Sequence, residues 1–277
     1  MLELMAARKS TGRGGRIFVG VGGWSFAPWR GEFYPRGLPQ TRELSYMSSQ
    51  LNSIEINSTF YRLQTPATFQ RWHDETPEHF VFSLKAPMFV TGRRDLATAA
   101  AGITRFLDSG LLNLGEKLGP INWQLGPGRR FAAAEIDAFL SLLPKEHGGR
   151  TLRHALEVRH ASFAVPAFVE LARRHAVAIV LAGDAEYPQI ADATAPFAYL
   201  RIMGTTEEQK CGYSPAALTR WARRASALAE GKRPSGLDCI SRTTATNGPR
   251  DVFLYVISGA KQRNPSAARM LLEKLSH

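Results

Sequence analysis

A chain of 277 residues with 44% hydrophobic content holds ample apolar material for a packed core, which excludes global disorder. No apolar run reaches bilayer-spanning length, so no membrane partner is expected. Two cysteines, Cys211 and Cys239, are too few for a disulfide framework. Arg8, Lys9, Arg13 and Arg16 break up any apolar leader core, and the expectation is a cytoplasmic protein. The formal net charge of +11 admits attraction to nucleic acid, phosphorylated metabolites and other anions. Its cations fall in scattered pairs such as Arg93-Arg94, Arg129-Arg130, Arg223-Arg224 and Lys232-Arg233, the pattern of solvated helix faces and loops.

In chain order, residues 1–15 read as a basic flexible tail and residues 16–277 as one domain. Eight short apolar runs follow, at residues 17–22, 53–57, 80–85, 120–125, 155–159, 177–181, 198–203 and 252–258. Their near-continuous apolar character predicts parallel strands covered on the outside. Helical spacing predicts helices over residues 67–75, 97–112, 132–143, 165–175 and 215–230. Asn264-Pro265 supplies a start for a last helix running through Leu275. Residues 231–250, rich in Gly, Pro and Thr, read as a long loop. Eight such strands suggest a single (β/α)8 barrel with some irregular or shortened helices, with an open doubly wound sheet as the competitor. The first strand ends in Gly20-Val21-Gly22-Gly23, which is not a dinucleotide fingerprint, and no cofactor motif or metal-ligand pattern is present in the sequence.

In a barrel, active sites lie at the C-terminal strand ends, and there this sequence turns polar. Strand two carries Glu55 and Asn57, strand three Ser83 and Lys85, strand four Asn122 and Gln124, strand five Glu157 and Arg159, and strand seven Arg201. Each pair is two residues apart and so faces one direction, the barrel interior. Lys85, Arg159 and Arg201 favour an anionic ligand. Glu55 and Glu157, with His160 just beyond, are the candidate acid–base groups. Trp24 and Tyr61 in the following loops offer planar faces for stacking. The plainer reading of Glu157 with Arg159, or Glu55 with Lys85, is an ion pair that merely satisfies itself. Gly204 and Thr205 after strand seven, with Ser258 and Gly259 after strand eight, occupy the place where many barrels bind phosphate through backbone amides.

These residues resemble the YecE-like family. The resemblance rests on Gly23-Trp24, Trp29-Arg30-Gly31, Phe33-Tyr34-Pro35, the specific block Glu55-Ile56-Asn57-Ser58-Thr59-Phe60-Tyr61, Trp72 with Thr76-Pro77, residues 82–85, Lys117-Leu118-Gly119 and Glu157-Val158-Arg159-His160, in order. It implies a TIM-like β/α barrel and transfers no activity. Against the family pattern, Gly92 replaces a Thr-His pair, Met203 a His-Gly ending, Phe163 a Trp, and Ile257-Ser258-Gly259 a Phe-Asn-Asn-type ending. The functional expectation is a polar pocket at the strand ends, serving a hydrolase or isomerase that acts on a phosphorylated or otherwise anionic small molecule. The alternatives are a nucleic-acid-binding or processing protein, and a non-catalytic ligand sensor with a partly degraded site.

Overall fold

Each of the eight apolar runs becomes a strand: β1 (Ile17–Val21), β2 (Ser53–Ile56), β3 (Val81–Lys85), β4 (Leu118–Gln124), β5 (His154–Glu157), β6 (Ala178–Gly183), β7 (Phe197–Ile202) and β8 (Asp251–Val256). A computed structural model describes residues 14–241 and 248–276. The strands pair in parallel in the spatial order β1-β8-β7-β6-β5-β4-β3-β2, so neighbours in sequence are neighbours in space. Closure comes between the two ends of that order. Gly22 bridges Glu55, and Gly23 N donates to Glu55 O at 2.8 Å. Lower on the same seam the Asn52 side chain replaces a ladder rung, accepting from Val19 N at 2.6 Å and donating to Ile17 O at 3.0 Å. Gly20 makes the seam sterically feasible, because a Cβ there would stand 2.1 Å from Ser53 O. The product is an α/β TIM-like barrel; the open-sheet competitor falls on this closure.

The helices are α1 (Glu43–Gln50), α2 (Ser58–Tyr61), α3 (Pro66–Asp74), α4 (Met88–Thr91), α5 (Ala100–Leu107), α6 (Ala133–Ser141), α7 (Pro166–Arg174), α8 (Pro215–Ala229) and α9 (Asn264–Leu275). Sequence chemistry fixes several ends. Thr65 and Ser214 accept backbone N–H bonds ahead of first-turn prolines in α3 and α8. Lys117 closes α3 at its other end, donating to the carbonyls of His73 and Thr76. The helix expected over 97–112 is shorter: α5 stops at Leu107, and Gly110 at φ 101° turns the chain into a 3-10 run. Residues 184–196 join β6 to β7 without a helix. Of the expected tail, residues 1–13 lie outside the described residues, while Gly15 N donates to Ala229 O at 2.9 Å. Residues 242–247 of the expected long loop also lie outside them; its described parts form neither helix nor strand.

Two apolar clusters hold the barrel. The larger fills the layer between outward strand residues and helices, with Trp29, Phe69, Trp123, Phe163 and Trp221 fully buried. The smaller comprises inward residues such as Phe18, Val81, Phe197, Tyr199, Phe253 and Tyr255. It plugs the lower barrel and leaves the upper layer to polar groups.

Candidate functional site at the barrel mouth

Arg201 stands at the centre of the polar layer, on the register row that pairs it with Ala182 on one side and Tyr255 on the other. Its Nη2 donates to Glu55 Oε1 at 3.0 Å, and its Nη1 donates to Glu157 Oε2. Asn122 on β4 spans the same two carboxylates, its Nδ2 lying 3.4 Å from Glu55 Oε2 and 3.2 Å from Glu157 Oε2. Tyr199, two residues before Arg201 and therefore on the same side of β7, donates its hydroxyl to Glu55 Oε2 at 2.6 Å. Arg159 Nε completes Glu157 through Oε1 at 2.8 Å and passes Nη2 to Gln124 Oε1 at 2.9 Å. Below this layer the Tyr255 hydroxyl sits 2.7 Å from both Ser53 Oγ and Ser83 Oγ. Ser53 gives its only proton to Val81 O, so the phenol donates to Ser53 and accepts from Ser83.

Both carboxylates and Asn122 are fully buried, and Arg201 nearly so. Ions in such a setting survive only by mutual compensation. Burial acts to raise the Glu157 carboxyl, but the guanidiniums of Arg201 and Arg159 outweigh it and hold the group below the usual carboxylate range. Burial likewise opposes the charge on Arg201, and Glu157 and Glu55 reverse it, raising that pKa above its ordinary value. Tyr199 is raised well above a normal phenol by burial and by the adjacent Glu55 carboxylate. Two atoms of this network stay unpartnered though buried: Asn122 Oδ1 and Arg201 Nε.

Lys85 differs from its neighbours. Paired in register with Asn122 and only 8% exposed, it accepts from Thr59 Oγ1 through its carbonyl, but its ammonium forms no hydrogen bond or ion pair with a described residue. Its ammonium instead lies 4.0 Å from the centroid of the Phe60 ring on α2. Burial, reinforced by Arg201, lowers its pKa to about 8, with Glu55 and Glu157 acting the other way. Arg159 is flanked by a second aromatic face, its guanidinium carbon 4.5 Å from the Tyr187 ring centroid. Lys85, Arg159 and Arg201 against Glu55 and Glu157 leave one excess positive charge in the layer.

Seven of the residues expected from sequence therefore converge: Glu55, Lys85, Asn122, Gln124, Glu157, Arg159 and Arg201. Asn57 stands just above them, its Nδ2 close over Gly22. The other expected residues make their contacts elsewhere. Trp24 is half-buried, edge-on to Trp72 at 5.2 Å, and its carbonyl accepts from the Tyr34 hydroxyl. Tyr61 is 75% exposed and edge-on to Phe60. His160 Nδ1 accepts from Ser162 N at 3.1 Å and so caps the 3-10 turn at Ala161–Phe163. Gly204 N donates to the Tyr213 hydroxyl at 2.7 Å, while Thr205 Oγ1 donates to Asn264 Oδ1 at 2.7 Å. Ala260 N donates to Thr205 O, and Gly259, at φ 57°, packs directly against Thr205. These two loops are thereby knitted to each other. Residues not anticipated are Tyr199, Tyr255, Tyr187 and Phe60; the two-residue period of β7 and β8 was the signal for the first two. Among the described residues, no group of three or more His, Cys, Asp or Glu side chains is placed to hold a metal ion, and no helix is long and apolar enough to cross a membrane.

A family model described as "Protein of unknown function DUF72" matches residues 18–277. The chain belongs to the DUF72 family. The chain is 28% identical to the UPF0759 protein YecE of Escherichia coli K12 over 150 residues, 53% of this chain and 50% of that protein. It is 31% identical to the UPF0759 protein YunF of Bacillus subtilis over 78 residues, 28% of this chain and 27% of that one. The matches thus span about half the length of the first relative and about a quarter of the second. Among solved structures, a DUF72 family protein of Thermotoga maritima superposes with TM-score 0.72 at 20% identity, covering 95% of this chain and all of that one. One from Enterococcus faecalis gives 0.70 at 15% identity, covering 94% and 96%. At those identities the likeness is one of fold. In DUF72 terms, several sequence blocks have a structural account here: Trp29 Nε1 donates to Lys261 O, Arg30 Nε pairs with the buried Glu43 at 2.7 Å, and Lys117 caps α3.

Proposed function

We propose that the barrel mouth binds a small anionic molecule, carboxylate or phosphate, and that Lys85 exchanges a proton with it in an isomerase- or hydrolase-type reaction. One observation carries the reading: Lys85 is a largely buried residue whose amine has no hydrogen-bonding partner among the described residues, in a layer whose two carboxylates are already satisfied by Arg201, Arg159, Tyr199 and Asn122. A cation in that position costs folding energy unless a ligand uses it. A pKa near 8 leaves a usable fraction of neutral amine at physiological pH, which suits a group that both holds an anion and accepts a proton. Arg159, held rigid by Glu157 and Gln124, is the natural second contact to the anion. Glu55 and Glu157, in this reading, are the frame that fixes Arg201 and Arg159 rather than the proton carriers.

The test uses thermal shift and calorimetry with inorganic phosphate, a triose phosphate and a dicarboxylate, followed by deuterium exchange into any bound ligand in heavy water. Binding by the intact protein that is lost in Arg159→Met, with exchange lost in Lys85→Met, is the expected result. Binding without exchange would leave the sensor reading in place of the enzyme. Anion binding that survives both substitutions would refute the site.

A further inference from the structure

A second concentration of charge lies on the outside of the barrel, along α8 and the chain behind it. Arg220, Arg223 and Arg224 fall at i, i+3 and i+4 and so share one helix face. Arg224 builds the local shape: its guanidinium lies 4.6 Å from the Trp221 ring centroid and donates to Ser235 O at 3.2 Å and Gly236 O at 2.8 Å. That pins the returning chain beside the helix and brings Lys232 and Arg233 alongside. The result is a hollow of about 730 Å³ whose lining includes Arg220, Arg223, Lys232 and Arg233 and, among the described residues, no carboxylate. A neighbouring hollow of about 620 Å³ shares Arg223 and Lys232 and continues to Lys274 on α9, with the Glu230 carboxylate also in its lining. Lys232 pairs with Glu230 at 2.6 Å. Arg220, Arg223 and Arg233 are exposed and have no carboxylate partner among the described residues.

We infer that this double groove binds the phosphodiester backbone of a nucleic-acid duplex without reading its sequence. Free guanidiniums on a fixed helix face are suited to phosphate oxygens, which they contact in bidentate fashion. Two hollows continuing across Arg223 fit an extended polyanion better than a compact one. Single-strand binders line their grooves with aromatic faces for base stacking. Here Trp221 is fully buried beneath the arginines, and the exposed large hydrophobics Tyr61, Met88 and Phe89 belong to α2 and α4. Backbone contact is what the groove offers.

Fluorescence anisotropy of a labelled 24-base-pair duplex, titrated with the full chain from 25 to 200 mM KCl, tests the inference. Each phosphate contact adds about −0.9 to the slope of log affinity against log salt. The triple variant R220Q/R223Q/R233Q should therefore flatten the slope by about 2.7. The control R36Q/R42Q/R62Q removes the same charge from exposed positions elsewhere and should keep a slope within about 1 of the intact chain. Arg223→Glu alone should weaken binding more than Arg223→Gln. Equal losses in the two triple variants would show a diffuse charge effect and overturn the site. Tighter binding of a single strand of the same length would overturn the duplex assignment.

Discussion

Replacing Lys85 by methionine separates a functional amine from a structural one. The fall from the ordinary 10.5 to about 8 corresponds to roughly 3 kcal/mol at about 1.36 kcal/mol per pH unit, the cost of keeping this amine charged in its buried place. Methionine keeps most of the aliphatic stem and removes the charge, but forfeits the contact with Phe60, worth about 1 kcal/mol. The net expectation is a variant about 1–2 kcal/mol more stable than the intact chain at pH 7, a melting temperature higher by about 2–8 °C. The sign with pH follows from linkage. Below about pH 8 the folded protein carries the charged amine at its full cost, and above 10.5 the amine is neutral folded and unfolded alike. Native stability from this group therefore rises between those values, and the advantage of the variant should be mostly gone by pH 10. Paired thermal melts at pH 7 and pH 10 read this directly. A variant less stable than the intact chain at pH 7, or a gain indifferent to pH, would show that Lys85 serves the Glu55–Arg201–Glu157 network, and the reasoning for a ligand site would fail.

Arg201→Met should have the opposite effect, destabilising by about 3–5 kcal/mol because two buried carboxylates lose their shared cation. In the intact chain the lowered Glu157 pKa adds stability above the ordinary carboxylate range and loses it in acid. Without Arg201 the shift reverses, so chemical denaturation should show the deficit shrinking from pH 8 to pH 5; a deficit constant with pH would refute the ion-pair account. Asn52→Ala should cost about 1–3 kcal/mol and accelerate hydrogen exchange at the Val19 amide, since one side chain supplies two rungs of the β1–β2 seam. Unchanged exchange at Val19 would mean that the seam closes without it.

The sequence alone determined the order and character of the strands, because a strand buried on both faces must be apolar nearly throughout, and each of the eight runs has that composition. It also marked the polar interruptions at Glu55, Lys85, Gln124, Glu157, Arg159 and Arg201, since a two-residue period places each pair on one side. Pairing across the barrel was beyond it. Glu55 and Arg201 are 146 residues apart, and only closure brings them to 3.0 Å. The expected Glu55–Lys85 partnership gave way because Arg201 reaches both carboxylates from β7 and leaves Lys85 against Phe60. Conversely, Trp24 and His160 sit at strand ends in sequence yet spend their contacts on packing and capping. Local pattern sets which residues point inward; which of them meet, and which is left without a partner, depends on strand register and closure, which are long-range.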